Sequence, residues 1–191
     1  FLQWMNCEFV DVALTKSMGA TLLDVFPHVR LYEPTKEVLM FVASDQPIHP
    51  EAATTQINGR TVCDLREEDR DYFQRLGVVT PTHLFSKLSL DEAALREVCR
   101  EAELVTDERN LLAMRAPMVL KQGRAEEVTS FLGNHMPLAR GLDVVTELCP
   151  SFDLEVYLTR KANAEDEKWL RRVGLPLLKD SAARDRIEAK L

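Results

Sequence analysis

FPHVRLYEPTKEVLMFVASDQPI, residues 26–48, is the stretch whose reading decides the fold. Val29 and Leu31 alternate with Arg30 and Tyr32, the period-two pattern of a strand with one buried face. VLMFV, residues 38–42, is an unbroken apolar run, the pattern of a strand covered on both faces. Between them Glu33, Pro34, Thr35 and Lys36 form a turn, in which Pro34 fixes φ and removes a ladder donor. Two strands alone make a marginal sheet. The pair therefore requires further strands, not all of them expected within these 191 residues.

Ahead of this pair, Val10, Ala13, Leu14, Met18, Leu22 and Phe26 recur at three- and four-residue steps. They form one stripe of an amphipathic helix over residues 9–26, with Asp11, Lys16 and Asp24 off the stripe and Pro27 as its stop. Residues 1–5 read as the tail of a strand. Strand, helix, strand, strand is an α/β phrase.

Behind the pair, residues 46–60 hold Pro47, Pro50 and an Asn58-Gly59 turn, the texture of a loop or short helix. From Leu65 the pattern turns helical. A helix over 67–76 stops at Gly77, and Thr80-Pro81 opens another through Leu88 as N-cap and first helical residue. Ser89-Leu90-Asp91-Glu92 reads as a capping box, with Leu90, Ala94, Leu95, Val98 and Ala102 as the buried stripe behind it. Residues 106–117 read as extended or looped, closed by Pro117. Beyond Met118 the spacing predicts helices near 124–132, 138–148, 152–158 and 164–173, and a weaker one after Ser181.

The net charge of −7 argues against a nucleic-acid or anionic-membrane surface, because gripping phosphates needs clustered Lys and Arg. Cys7, Cys63, Cys99 and Cys149 contain no C-x-x-C pair, which argues against structural zinc and a disulfide framework and favours a reducing cytosol. His28, His49, His83 and His135 lie far apart, without the i,i+4 pairing of a helical metal site. No apolar run approaches the ~20 residues needed to span a bilayer. FLQWMN lacks a basic leader and Phe1 is not an initiator, so the chain reads as a segment of a longer protein. Trp4 and Trp169 read as packing residues, and DLREEDRD, residues 64–71, as the solvated start of a helix.

Four segments carry a family resemblance. FLQW at the start is similar to the end of the fifth strand of a methyltransferase-type sheet, FPHVRLY to the sixth, and VLMFVASDQPI to the seventh, which inserts antiparallel. LVTDERNLLAMRAP, residues 104–117, resembles a segment that usually reads T-D-D-x-P-x-x-E followed by A-P. Together they resemble the C-terminal part of spermidine synthase-like proteins, in the bacterial branch often fused to a membrane transporter-like region. The resemblance covers residues 1–117.

It implies an α/β fold: the C-terminal part of a methyltransferase-type Rossmann sheet (helix, strand, strand) followed by a mostly helical region. The divisions are 1–63 for the end of the sheet, 64–117 for a helical insertion and return segment, and 118–191 for a helical tail. It also implies aminopropyl transfer from decarboxylated S-adenosylmethionine, or chemistry on S-adenosylmethionine, in the complete protein. That chemistry needs a Gly-rich strand-to-helix turn, an acidic residue for the ribose and a carboxylate for the amine. The seven glycines here are scattered singly. No cofactor, catalytic residue or metal ligand is therefore expected in this chain, which reads as inactive by itself and needing its missing N-terminal Rossmann half, or self-association across an open strand edge. The cytoplasm is the expected compartment, with a membrane tether in the complete protein.

The sequence departs from the family at Glu108, Asn110 and Ala113, where Asp, Pro and Glu are usual. The loop between the sixth and seventh strands also shrinks to residues 33–36, so the resemblance does not carry polyamine specificity here. Two substrate-binding candidates follow. Gln3 matches a polar side chain at a strand end facing the substrate cleft, the alternative being a solvent-facing glutamine. Asp107, beside Glu108, matches a carboxylate for an amine, the alternative being a cap on the next segment. A reading of another class makes the tail helices, with those of 65–103, a protein-interaction module.

Overall fold

The computed structural model describes residues 1–35, 38–48, 81–120, 125–135, 138–148, 152–162 and 167–191. The chain divides into two compact units, Phe1–Ile48 with Lys87–Gly141 and His49–Ser86 with Leu142–Leu191. Its strands are β1 (Leu2–Asn6), β2 (His28–Thr35), β3 (Val38–Ser44) and β4 (Leu88–Leu90). The main helices are α1 (Val12–Val25), α2 (Pro81–Phe85), α3 (Glu92–Cys99), α4 (Leu111–Leu120), α5 (Ala125–His135), α6 (Leu138–Leu148), α7 (Leu154–Ala162) and α8 (Ser181–Glu188). Between α7 and α8 lie short helical turns at Glu167–Trp169 and Leu175–Leu177, joined by a π-helical segment, Leu170–Gly174. The protein is mixed α/β and mostly helical.

The first unit holds one sheet, in the order β1-β3-β2-β4. Every ladder is antiparallel, so β1 and β2, both opposed to β3, run parallel to each other. Parallel strands cannot be joined by a tight turn, and α1 supplies the crossover. β3 sits between them: Phe41 pairs with Gln3 on one side and Leu31 on the other, and Met40 with Trp4 and Tyr32. The β2–β3 register shifts between Tyr32 and Thr35, where Pro34 has no N–H to give the ladder. β1 and β4 are two further strands flanking the central pair.

Asp11 starts α1 by accepting a bond from Leu14 N at 2.7 Å, satisfying one of the free N–H groups of the first turn. Phe26 N closes the helix onto Leu22 O at 2.8 Å, and Pro27 follows. Its buried face is wider than the apolar stripe, because Thr15, Ser17 and Gly19 join Leu14 and Leu22 while Ala13 is exposed. These small residues allow close packing. A Cβ at Gly19 would lie 2.6 Å from Cys99 Sγ and 3.3 Å from Leu95 Cδ1, both on α3, and 3.6 Å from Phe41 Cε1 on β3. Leu14, Val29, Leu31, Leu39 and Phe41 form the fully buried centre of this core.

Four expectations are corrected. β3 alternates between half-buried and buried residues, so Val38, Met40 and Val42 line an incompletely covered face; an apolar run does not by itself place cover on both sides. Trp4 lies on that face and is 63% exposed, so it is not a packing residue. Residues 111–117 are helical, within α4, with Pro117 inside the helix instead of ending it. The start signal is Asn110, whose Oδ1 accepts from Ala113 N at 3.0 Å. Finally, Ser89 belongs to β4, and the cap of α3 is Asp91, whose Oδ1 accepts from Ala94 N at 2.7 Å. The loop over 49–60, the helix over 67–76, the charge run 64–71 and Thr80 lie outside the described residues, as does the side chain of Trp169.

In the second unit, Thr82 is buried on α2 and its Oγ1 accepts from Asp153 N at 3.1 Å, just ahead of α7. Phe85, Tyr157, Leu158, Leu170, Leu175 and Ile187 are its most buried large side chains. Arg184 on α8 donates to the carbonyls of Leu175 and Leu178, the first of which also accepts from Leu178 N.

Candidate functional site

In the first unit, the pleat of β2 puts His28, Arg30 and Tyr32 on one face of the sheet, opposite to Val29 and Leu31. An arginine in that row is expected to reach water. Instead Arg30 is only 5% exposed, the position at which the period-two reading of β2 fails.

The residue that covers Arg30 comes from 62 positions along the chain. β4 ends at Leu90, Asp91 caps α3, and Glu92 then falls beside the start of β2. Its Oε1 lies 3.2 Å from Arg30 Nη2 and its Oε2 lies 2.9 Å from His28 Nδ1. A single carboxylate thus serves two partners, and its side chain is 28% exposed. Asp91 is engaged separately, by Ala94 N and by Arg140 Nη2 at 3.5 Å. Burial raises the pKa of the Tyr32 hydroxyl above its ordinary 10.0, and the Arg30 guanidinium offsets part of that rise through its charge and through a hydrogen bond to the Tyr32 oxygen. The phenol therefore stays protonated through the neutral range and can donate a hydrogen bond.

A guanidinium carries five N–H donors and no acceptor. Among the described residues, Arg30 Nε and Nη1 are buried without a hydrogen-bond partner. Leaving buried donors of a cation unmatched is costly, which makes this the least satisfied polar group of the described core. Nothing in the sequence marks it, because its ion-pair partner Glu92 is distant along the chain.

A shallow hollow of about 310 Å³ lies on the α1–α3 side of the same unit, lined by Ala20, Leu23, Asp24, Arg96, Cys99, Arg100, Ala102 and Leu104. The Cys99 thiol in its lining is pushed up to about 11 by burial, so it stays an unreactive thiol at neutral pH.

The two sequence candidates lie elsewhere. Gln3 is half-buried on β1, with Nε2 donating to the carbonyl of Trp4 at 2.9 Å. Asp107 is exposed in the turn that Thr106 and Arg109 close by mutual backbone bonds. No hydrogen bond or ion pair joins Gln3 to Asp107 among the described residues. The 104–117 segment is tied to α1 by Val105 N donating to Thr21 Oγ1 at 2.8 Å, and by Arg115 Nη2 at 2.5 Å from Asp11 Oδ2. Among the described residues, no group of three His, Cys, Asp or Glu side chains could hold a metal ion, and no helix is long and apolar enough to cross a membrane. No protein-family model, curated protein or solved structure matches the chain.

Proposed function

We propose that this chain is the C-terminal part of a spermidine synthase-like protein, a relative of the aminopropyltransferases, and that it carries the far end of a methyltransferase-type sheet without a complete active site. The observation that carries this reading is the position of β3, antiparallel to both neighbours and inserted between two mutually parallel strands joined by α1. In the family the last strand takes that place. A further support is the tie of the 104–117 segment to the helix between the first two strands.

On this reading, decarboxylated S-adenosylmethionine, or S-adenosylmethionine, is bound by the front half of the sheet. That half holds the cofactor-admitting Gly-rich turn and the carboxylate that deprotonates the attacking amine. The open side of β1 is where it pairs, and Gln3 and Asp107 contribute to the substrate side. The test is twofold. The gene immediately upstream of Phe1 is expected to encode a Gly-rich strand-to-helix turn followed by acidic residues, and a coding sequence without them overturns the reading. Titration of the 191-residue chain with decarboxylated S-adenosylmethionine is expected to give no saturable binding; saturation by this chain alone contradicts it.

A further inference from the structure

We infer that Arg30, with Tyr32 beside it and His28 and Glu92 as a movable rim, forms a binding site for a small oxyanion, a carboxylate or phosphoryl group. This goes beyond the family reading and stands apart from it.

Glu92 meets Arg30 at Nη2 only, and its other oxygen is taken by His28. Among the described residues, Nε on one edge of the planar guanidinium fork and Nη1 on the other are buried without a hydrogen-bond partner. An oxyanion can take one edge through two parallel bonds while Glu92 stays on the other, the arrangement for which guanidinium is suited. Charge selects the class of ligand. A metal cation is repelled by Arg30, and a ligand without acceptors leaves the Nε and Nη1 donors unmatched. An anion supplies both acceptors and charge, and the protonated Tyr32 hydroxyl adds a neutral donor.

The rim explains how a sealed guanidinium is reached. The Arg30 side chain is 6% exposed, whereas those of His28 and Glu92 are 25% and 28% exposed. His28 and Glu92 thus form a surface-reaching pair, joined by one hydrogen bond, at the Nη2 end of Arg30. On this inference the anion reaches Arg30 by displacing that pair. Arg140 does not compete, because it is directed to Asp91.

The experiment follows the Arg Nε–Hε cross-peaks of the ¹⁵N-labelled full chain by NMR during titration with sodium phosphate and, separately, with sodium acetate, each at ionic strength held constant with chloride. One cross-peak, absent from Arg30→Lys, is expected to shift saturably with at least one of the two anions; which one identifies the phosphoryl or the carboxylate class. Two further variants keep the test open if Arg30→Lys does not fold. Glu92→Gln removes the competing carboxylate and is expected to tighten binding roughly two- to fivefold. Tyr32→Phe is expected to weaken it by roughly two- to tenfold, the loss of one hydrogen bond. No saturable shift with either anion overturns the inference, as does a shift that survives in Arg30→Lys or a Glu92→Gln variant that binds more weakly.

Discussion

Gly19 shows how one side chain, or the lack of one, sets the distance between α1 and α3. Two effects oppose each other in Gly19→Ala. Alanine favours the helix by about 1 kcal/mol, while a methyl 2.6 Å from Cys99 Sγ overpacks the core at a cost of about 1–3 kcal/mol. The clash is expected to win by about 1 kcal/mol in denaturant unfolding. In a Cys99→Ala background the same substitution is expected to become neutral or stabilising. A Gly19→Ala protein as stable as its parent would contradict the packing described. Cys99 also sets a pH limit. Its folded pKa of about 11 lies above its ordinary 9.0, so the unfolded chain releases this proton first as pH rises. Stability from the buried thiol is therefore complete below pH 9 and lost between about 9 and 11, and Cys99→Ala is expected to flatten that part of the stability–pH curve. Neither residue could be ranked from the sequence. Gly19 stands one place beyond Met18 of the stripe, and its neighbour Cys99 is 80 positions away.

At the scale of elements, strands and helices were readable where the hydrophobic period is local. α1, β2 and β3 fall where the spacing of Leu14, Leu22, Val29, Leu31 and Phe41 places them. What failed were inferences about cover and about ends. VLMFV looks the same whether one or both faces are packed, and the structure leaves the Val38–Met40–Val42 face half-buried. A proline after an apolar run predicts a stop, yet Pro117 is tolerated inside α4, which Asn110 begins. β4, only three residues long, is too short for a period and was absorbed into helical stripes on either side. The two faces of the sheet give a direct comparison. Phe41→Ala, at a fully buried position, is expected to cost about 3–5 kcal/mol. Trp4→Lys, on the open face and edge, is expected to change unfolding free energy by less than about 1 kcal/mol while lowering self-association in sedimentation velocity. Equal costs for the two would mean that the sheet faces are wrongly assigned.

For the molecule as a whole, the α/β phrase at the front and the helical character behind it were legible, but the construction of each unit was not. Lys87–Gly141 returns to the first 48 residues, and Leu142–Leu191 joins His49–Ser86. Those pairings depend on contacts such as Glu92 with Arg30 and Asp153 with Thr82, whose partners are distant in sequence. The candidate site was not legible for the same reason: Arg30 appeared as the solvent-facing residue of an alternating strand.

Everything proposed for the first unit depends on the strand at residues 38–44 lying between two others, and interstrand NOEs from the Phe41 backbone test this most directly. The expected result is contacts from Phe41 to Gln3 on one side and Leu31 on the other, with Met40 likewise joined to Trp4 and Tyr32. Contacts from Phe41 to Leu31 alone, with Gln3 paired to neither strand or directly to β2, would contradict it.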